Sequence, residues 1–313
     1  MNTFSELEIT KLLDENGTFE DAEVYNLIKT LLKKKTAYGV CRIRSGIYIG
    51  SGFHYDIGWI VTTSDVLPNE NDIFGAGIEF TSPSNTEPLT YGPPEIAFRY
   101  RTVPDDHELK KNYPDLLIMK METKREPTIG SHFHTNRMEI DRAVRINNGS
   151  GEYVQSINFG EEIAVGSKIH LIHFGEEFHS DMKQHKQYTF NQNITEIFEI
   201  NSSKIIKYQG TTKKITPGSP VYDTKGYSIG ITIRTDENGI SYAIHWDTVK
   251  KFILTANGLN AKINKLNDHL FVAKNVELDG IETQRVDLRK RLRERLREIE
   301  GDSQIDIMTC KSL

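Results

Sequence analysis

Cysteine is almost missing from this 313-residue chain, which holds only Cys41 and Cys310. Two thiols so far apart cannot supply a disulfide framework, and they point to a reducing compartment. Long apolar runs are missing too. No stretch approaches the roughly 20 apolar residues of a membrane-spanning helix. The first six residues hold neither a basic cluster nor an apolar run, so no secretory leader is read there. The expected location is intracellular, cytoplasmic or nuclear, and not secreted. Charge of one sign is also scarce. Lys and Arg number 39 against 44 Asp and Glu, a net charge of −5, which gives the whole chain no reason to bind nucleic acid. No internal repeat or low-complexity run occurs. What remains is ordinary for a soluble protein, with 37% hydrophobic and 27% charged residues. The length suffices for one large domain or two small ones.

The hydrophobic period divides the chain. Residues 5–14 and 20–35 read as helices, the second through Val24, Leu27, Ile28, Leu31 and Leu32. Lys33, Lys34 and Lys35 fall in its last turn, where cations oppose the negative dipole end. From Ala37 to about residue 245 the period becomes two, in short segments punctuated by glycine, a pattern of strands and hairpins. Many short strands with glycine turns argue for barrels or sandwiches. The stretch 82–113 reads as a long loop around one strand, Ile96 to Arg101. A short helix follows at 248–256, with Val249, Phe252, Ile253 and Leu254 packing back and Asn257-Gly258 ending it. A last helix is read at 281–300. There Ile281, Leu288, Leu292, Leu296 and Ile299 form one apolar stripe, and arginines alternate with glutamates on the other side. The tail 301–313 reads as loose.

Six segments carry a resemblance. Gly50-Ser51-Gly52-Phe53 precedes Val61-Thr62-Thr63-Ser64-Asp65-Val66. Asp115-Leu116-Leu117-Ile118-Met119-Lys120 and Val165-Gly166-Ser167-Lys168-Ile169 follow. Next come Ile215-Thr216-Pro217-Gly218-Ser219-Pro220-Val221, then Tyr222 to Ile231 with Gly226 at a turn, and finally Tyr242-Ala243-Ile244-His245. Their order, across about residues 36–254, resembles chymotrypsin-like serine peptidases of the glutamyl-endopeptidase and HtrA type. The resemblance implies a mainly β fold, a chymotrypsin-like double β-barrel with N-terminal helices and a C-terminal helical extension. The expected organisation is a helical segment 1–35, a double barrel 36–254 (barrel one about 36–130, barrel two about 131–254), and a linker, amphipathic helix and tail 255–313.

The same resemblance places the family's catalytic positions and finds them altered. Asp65 stands where the family has His, Asp115 matches the triad Asp, and Pro217 stands where the nucleophilic Ser belongs. Proline has neither a hydroxyl nor an N–H, so it removes a nucleophile and an oxyanion-hole donor together. Ile215 replaces the glycine that lines that hole. A triad needs Ser to attack, His to take the proton and Asp to orient the His. Two facing carboxylates instead repel and raise one pKa; together they would suit a cation or a basic side chain of a partner. Ser64 and Ser219 are the nearest hydroxyls to the lost groups.

The expectation is a pseudoprotease, with no enzyme activity and no cofactor, acting as a protein-binding scaffold or adaptor. Its contact surfaces would be the 281–300 stripe and the cleft between barrels, with partner proteins or a second copy. Three alternatives stay open: a peptidase with an altered serine, a nucleic-acid-associated subunit using Arg289–Arg297, and a subunit of a shell. A metal is not expected. His132, His134, His170, His173, His179 and His185 crowd one region, yet no cysteine or helical His-x-x-x-His accompanies them.

Overall fold

The computed structural model describes residues 3–5, 26, 39–46, 48–56, 59–80, 89–91, 94–102, 114–121, 163–174, 186–200, 202–209, 215–276 and 305–309. It is mainly β, built on two antiparallel sheets, as the chymotrypsin-like pattern implies. The strands are β1 (Thr3–Ser5), β2 (Val40–Ser45), β3 (Tyr48–Asp56), β4 (Trp59–Thr63), β5 (Gly77–Phe80), β6 (Leu89–Tyr91), β7 (Pro94–Tyr100) and β8 (Leu116–Met121). They continue with β9 (Lys168–Phe174), β10 (Lys186–Ile200), β11 (Ser203–Gln209), β12 (Pro220–Asp223), β13 (Ser228–Thr235), β14 (Ile240–His245) and β15 (Ile305–Thr309). Helix α1 (Glu70–Phe74) follows β4, and α2 (Trp246–Val276) follows β14. Asn69 caps α1 by accepting the Asp72 N–H at 3.0 Å.

The first sheet runs β15-β7-β8-β4-β3-β2-β5-β6. The second runs β1-β10-β11-β14-β13-β12-β9, and an additional β9–β10 pairing closes it into a ring. The strand predicted at Ile96 to Arg101 is β7, and Gly226 does make the β12–β13 turn, with φ 78°. Where the sequence reading placed a helix starting at residue 5, Ser5 instead ends β1, paired with Gln187. The rest of that predicted helix, and nearly all of 20–35, lie outside the described residues.

Burial explains which strands are continuous apolar runs. Strands β4 and β8 have neighbours on both edges and apolar residues on both faces. Ile60, Leu117, Met119 and Met121 join Cys41, Ile43, Ile78 and Phe80 in the interior of barrel one. Ile169, Leu171, Ile206, Tyr208, Val221 and Ala243 fill barrel two. A third core lies between the sheets. Phe53, Trp59, Val61, Phe98 and Ile118 from the first meet Ile205, Ile231, Ile233 and Ile244 from the second. Helix α2 seals this shared core with Trp246, Val249, Phe252, Ile253, Ala256 and Leu259. Each such side chain is worth about 1.5–3 kcal/mol when fully buried, so α2 belongs to both barrels rather than to the second alone.

Two sequence readings are corrected here. Asn257-Gly258 does not end the helix, which runs 31 residues to Val276. A glycine costs a helix about 1 kcal/mol, but Gly258 is exposed and the turns before it are nailed into the shared core. Propagation past a packed nucleus is cheaper than stopping. The tail is not loose throughout either. Ile305–Thr309 pairs with β7 along five positions, with Met308 buried and Ile307 packed on the shared core.

Candidate functional site

Two of the carboxylates singled out in the sequence, Asp65 and Asp115, stand near enough for one to act on the other. Asp65 sits in the turn leaving β4. Asp115 immediately precedes β8, the strand paired with β4. Their neighbourhood is fixed by backbone bonds: the Ser64 N–H donates to Asp115 O at 2.9 Å, and the Asp115 N–H donates to Ser64 Oγ at 3.0 Å. Asp115 is buried, and its Oδ1 accepts the Thr102 N–H at 3.3 Å. The Asp115 carboxylate thus ties down the chain just past β7, and Ser64 Oγ anchors its backbone.

Asp65 has no imidazole-like role in this arrangement. It is exposed as a residue, yet protein mass around the carboxyl pushes its pKa up to about 6. Burial is the largest cause, the Arg234 guanidinium opposes it, and Asp115 adds to it. Arg234 belongs to β13 of barrel two, at a bulge between Thr232 and Arg234. A basic group acting on Asp65 therefore comes from this chain itself. Nothing in the sequence pattern marked Arg234, because its partner lies about 170 positions away.

The loop at the nucleophile position is a clamp between barrels. Ile215 is buried in the barrel-two interior, which accounts for a large side chain where the family has glycine. Pro217 O accepts the Ser51 N–H of β3 at 3.0 Å. The Gly218 N–H donates to Thr232 O at 2.8 Å, and Ser219 O accepts the Thr232 N–H at 2.8 Å. Gly218 has φ 83°, and a Cβ there would lie 1.9 Å from Ser51 O. Only glycine combines that conformation with that approach.

The hydroxyls of the clamp are fully committed. Thr216 Oγ1 donates to Phe174 O at 2.7 Å, and Ser51 Oγ lies 2.6 Å from Thr216 Oγ1. Since a hydroxyl carries one proton, Ser51 is the donor in that pair. Ser51 Oγ in turn accepts the Phe174 N–H at 3.0 Å. Ser219 Oγ donates to Thr216 O at 2.6 Å, and Thr62 Oγ1 to Ser51 O at 2.8 Å. Ser51, Thr62, Thr216 and Ser219 are all completely buried. The sequence reading treated Gly50-Ser51-Gly52 and Pro217-Gly218-Ser219 as separate motifs. Their mutual contact was the missing information.

His245 lies at the other end of the site's supports. Its Nδ1 accepts the Asp247 N–H at 3.2 Å and caps the start of α2. Burial foremost, then Lys204, holds its pKa below the usual imidazole range, while Asp247 pulls the other way. The same Nδ1 lies 3.2 Å from Asp247 Oδ2, and acceptance of the Asp247 N–H goes with the unprotonated ring that burial favours.

Of the remaining sequence-predicted groups the structure describes only His170 and His173. His170 and His173 are both buried on β9 but point to opposite faces of the strand, since their separation is odd. His132, His134, His179 and His185 lie outside the described residues, as do Ile281, Leu288, Leu292, Leu296 and Ile299. Among the described residues no three His, Cys, Asp or Glu side chains gather as metal ligands. Among them, too, no helix is long and apolar enough to cross a membrane.

No protein-family model and no curated protein sequence matches the chain. Among solved structures it is similar to Deg5, at 20% identity and a TM-score of 0.49, over 74% of this chain and 93% of that one. It is also similar to Rv3671c from M. tuberculosis H37Rv, a serine-to-alanine mutant in inactive form. That match has 11% identity and a TM-score of 0.44, over 77% and 96% of the two chains. The active form of the same protease matches at 13% identity and a TM-score of 0.42, over 74% and 85%.

Proposed function

We propose that the chain is a non-catalytic protein-binding body, a scaffold or adaptor built on the double-barrel fold. One observation carries this reading. The loop that would present a nucleophile is tied across the barrels, with Pro217 O and Thr216 Oγ1 both bonded to Ser51 of β3, while its other buried groups bond within barrel two. Ser219 is its only serine, and that hydroxyl is buried and donates to Thr216 O within its own loop. Ser64 Oγ accepts the Asp115 N–H, and the residue that matches the family's base position is Asp65. Acyl transfer needs a deprotonated nucleophile and donors aimed at a developing oxyanion. Pro217 supplies neither. The surface for partners in this reading is the stripe of Ile281, Leu288, Leu292, Leu296 and Ile299, whose spacing suits a groove or a second helix.

Two measurements test the two halves of the proposal. A fluorophosphonate probe should leave the full chain unlabelled, and peptide substrates should show no turnover above buffer. Labelling at Ser219 or Ser64 would instead establish a rearranged peptidase. For partner binding, the full chain is compared in affinity purification with a variant carrying Leu288→Glu, Leu292→Glu and Leu296→Glu. Point substitution is preferred to truncation, which would also strip β15 from the first sheet. Specific partners lost with the variant support the adaptor reading; identical bound sets remove the stripe from it.

A further inference from the structure

One face of barrel two is buried without belonging to any of the three cores. On β9, Ile169 and Leu171 point into the barrel, so His170, Ile172 and Phe174 stand on its outer side. Val221 points inward on β12, so Tyr222 faces out, opposite His170. Tyr188 is opposite Ile172, which puts it and Phe190 on the same outer side. The rings pack together, with Phe190 centred 5.7 Å from His170 and 6.4 Å from Tyr188. The outer face of an antiparallel sheet is commonly solvated and polar. Here Ile172, Phe174, Tyr188, Phe190 and Tyr222 are at most 1% exposed. None of them belongs to the barrel-one, barrel-two or shared core.

Both ends of residues 6–38 lie at one end of this face. Ser5 closes β1 opposite Gln187, and Gln187 pairs with His173, next to Phe174. The chain returns at Val40, the start of β2. There Arg42 pairs with Ser51, whose Oγ accepts the Phe174 N–H at 3.0 Å. Val40 is itself completely buried and outside the three cores. A helix over 20–35 is about 24 Å long, and a strand the length of β9 spans about 23 Å. Asn26, a described residue within that stretch, is helical and exposed. On a 3.6-residue period Asn26 stands opposite Val24, Ile28 and Leu31. A helix that meets solvent at Asn26 turns that apolar stripe toward the body of the protein.

We infer that residues 6–38 fold back across the outside of barrel two and seat the stripe of Val24, Leu27, Ile28 and Leu31 on Ile172, Tyr188, Phe190 and Tyr222. The segment is then a working part of barrel two although it precedes barrel one in the chain. Its two ends already meet beside Phe174, so the loop it makes is closed by β1 and β2 at little further cost in chain entropy. A helix in this seat spends its apolar face on its own chain and keeps none for a partner. The inference is independent of whether the chain is an adaptor or hydrolyses anything, and its failure leaves the stripe at 281–300 where the proposed function puts it.

The test is photocrosslinking within the full-length chain. With p-benzoylphenylalanine in place of Ile28, irradiation and digestion should yield peptides joined to those carrying Ile172 or Tyr188 and Phe190, identified by mass spectrometry. The same probe in place of Asn26, on the exposed side, should give none of these links. Equal yields from the two positions would overturn the inference, as would links from position 28 to the first sheet, to α2 or to residues 281–300 instead. Benzophenone is bulkier than the isoleucine it replaces, so chain grown with photo-leucine supplies a second measurement that leaves the side-chain shape nearly unchanged. Leu27, Leu31 and Leu32 should then link to β9 or β10. Stripe leucines that react with solvent alone, or with any other part of the chain, would refute the seat.

Discussion

Barrel two holds itself closed, and barrel one does not. Both follow the same strand order, yet barrel two completes its ring with β12–β13 and β9–β10, while β5 and β7 of barrel one take outside strands. Each end of the chain docks on the barrel farther from it in sequence: β1 on β10 of barrel two, β15 on β7 of barrel one. The difference teaches that a shared topology does not dictate closure. An open edge is satisfied by whichever segment can supply main-chain partners, because unpaired strand edges are costly or sticky.

The most damaging way to break the comparison is to break what joins the barrels. Gly218→Ala should cost about 4 kcal/mol in chemical denaturation, from a strained positive φ and a clash with Ser51 O. Unfolding should then split into two transitions if the barrels retain separate stability. Next come two truncations of similar size. Leu171→Ala inside the closed barrel should cost about 3 kcal/mol. Met308→Ala on the appended strand should cost only about 1–2 kcal/mol globally, while speeding amide exchange along β7 more than elsewhere. Equal costs would mean that β15 is as integral as any barrel strand. Thr216→Val keeps the shape of the clamp but leaves Ser51 Oγ and Phe174 O short of a partner, and should cost about 2 kcal/mol.

The smallest effects are electrostatic. Asp65 has its pKa raised from 3.8 to about 6, so the fold favours its protonated form. That stabilisation is complete below pH 3.8 and lost as pH rises through 6. Asp65→Asn should therefore be more stable than the parent at pH 7, with the gap vanishing toward pH 4. His245 has the opposite sign. Its pKa is lowered, so its contribution is present above the ordinary imidazole value and fades as pH falls. His245→Asn, which keeps a capping acceptor, should flatten the loss of stability seen just below neutrality. Thermal melts of the two variants across pH 4–7.5 would separate these slopes.

Much of the architecture was legible in the chain. Alternating apolar residues in β9, β11 and β14 predict strands with two unlike faces, and the glycine of the β12–β13 turn marks its place. The stripe of Val249, Phe252 and Ile253 predicts a helix. Its end was misread because Asn257-Gly258 weighs as a stop only when the preceding turns are not already held in a core. The site was legible as positions but not as contacts. The motifs single out Asp65, Asp115 and Pro217 as positions, whereas the burial of Ile215, the commitment of every clamp hydroxyl and the arrival of Arg234 are long-range facts.

The sequence by itself determined the period-two grammar and the apolar faces, because those depend on neighbours a few residues away. Tertiary structure alone decided that Ser51 meets Thr216 across 165 positions, that α2 seals both barrels, and that the open edge of barrel one is filled by a strand from the far end of the chain. Such pairings are chosen by burial and by main-chain hydrogen bonds between segments with no local signal for each other, and they exist only once the sheets have formed.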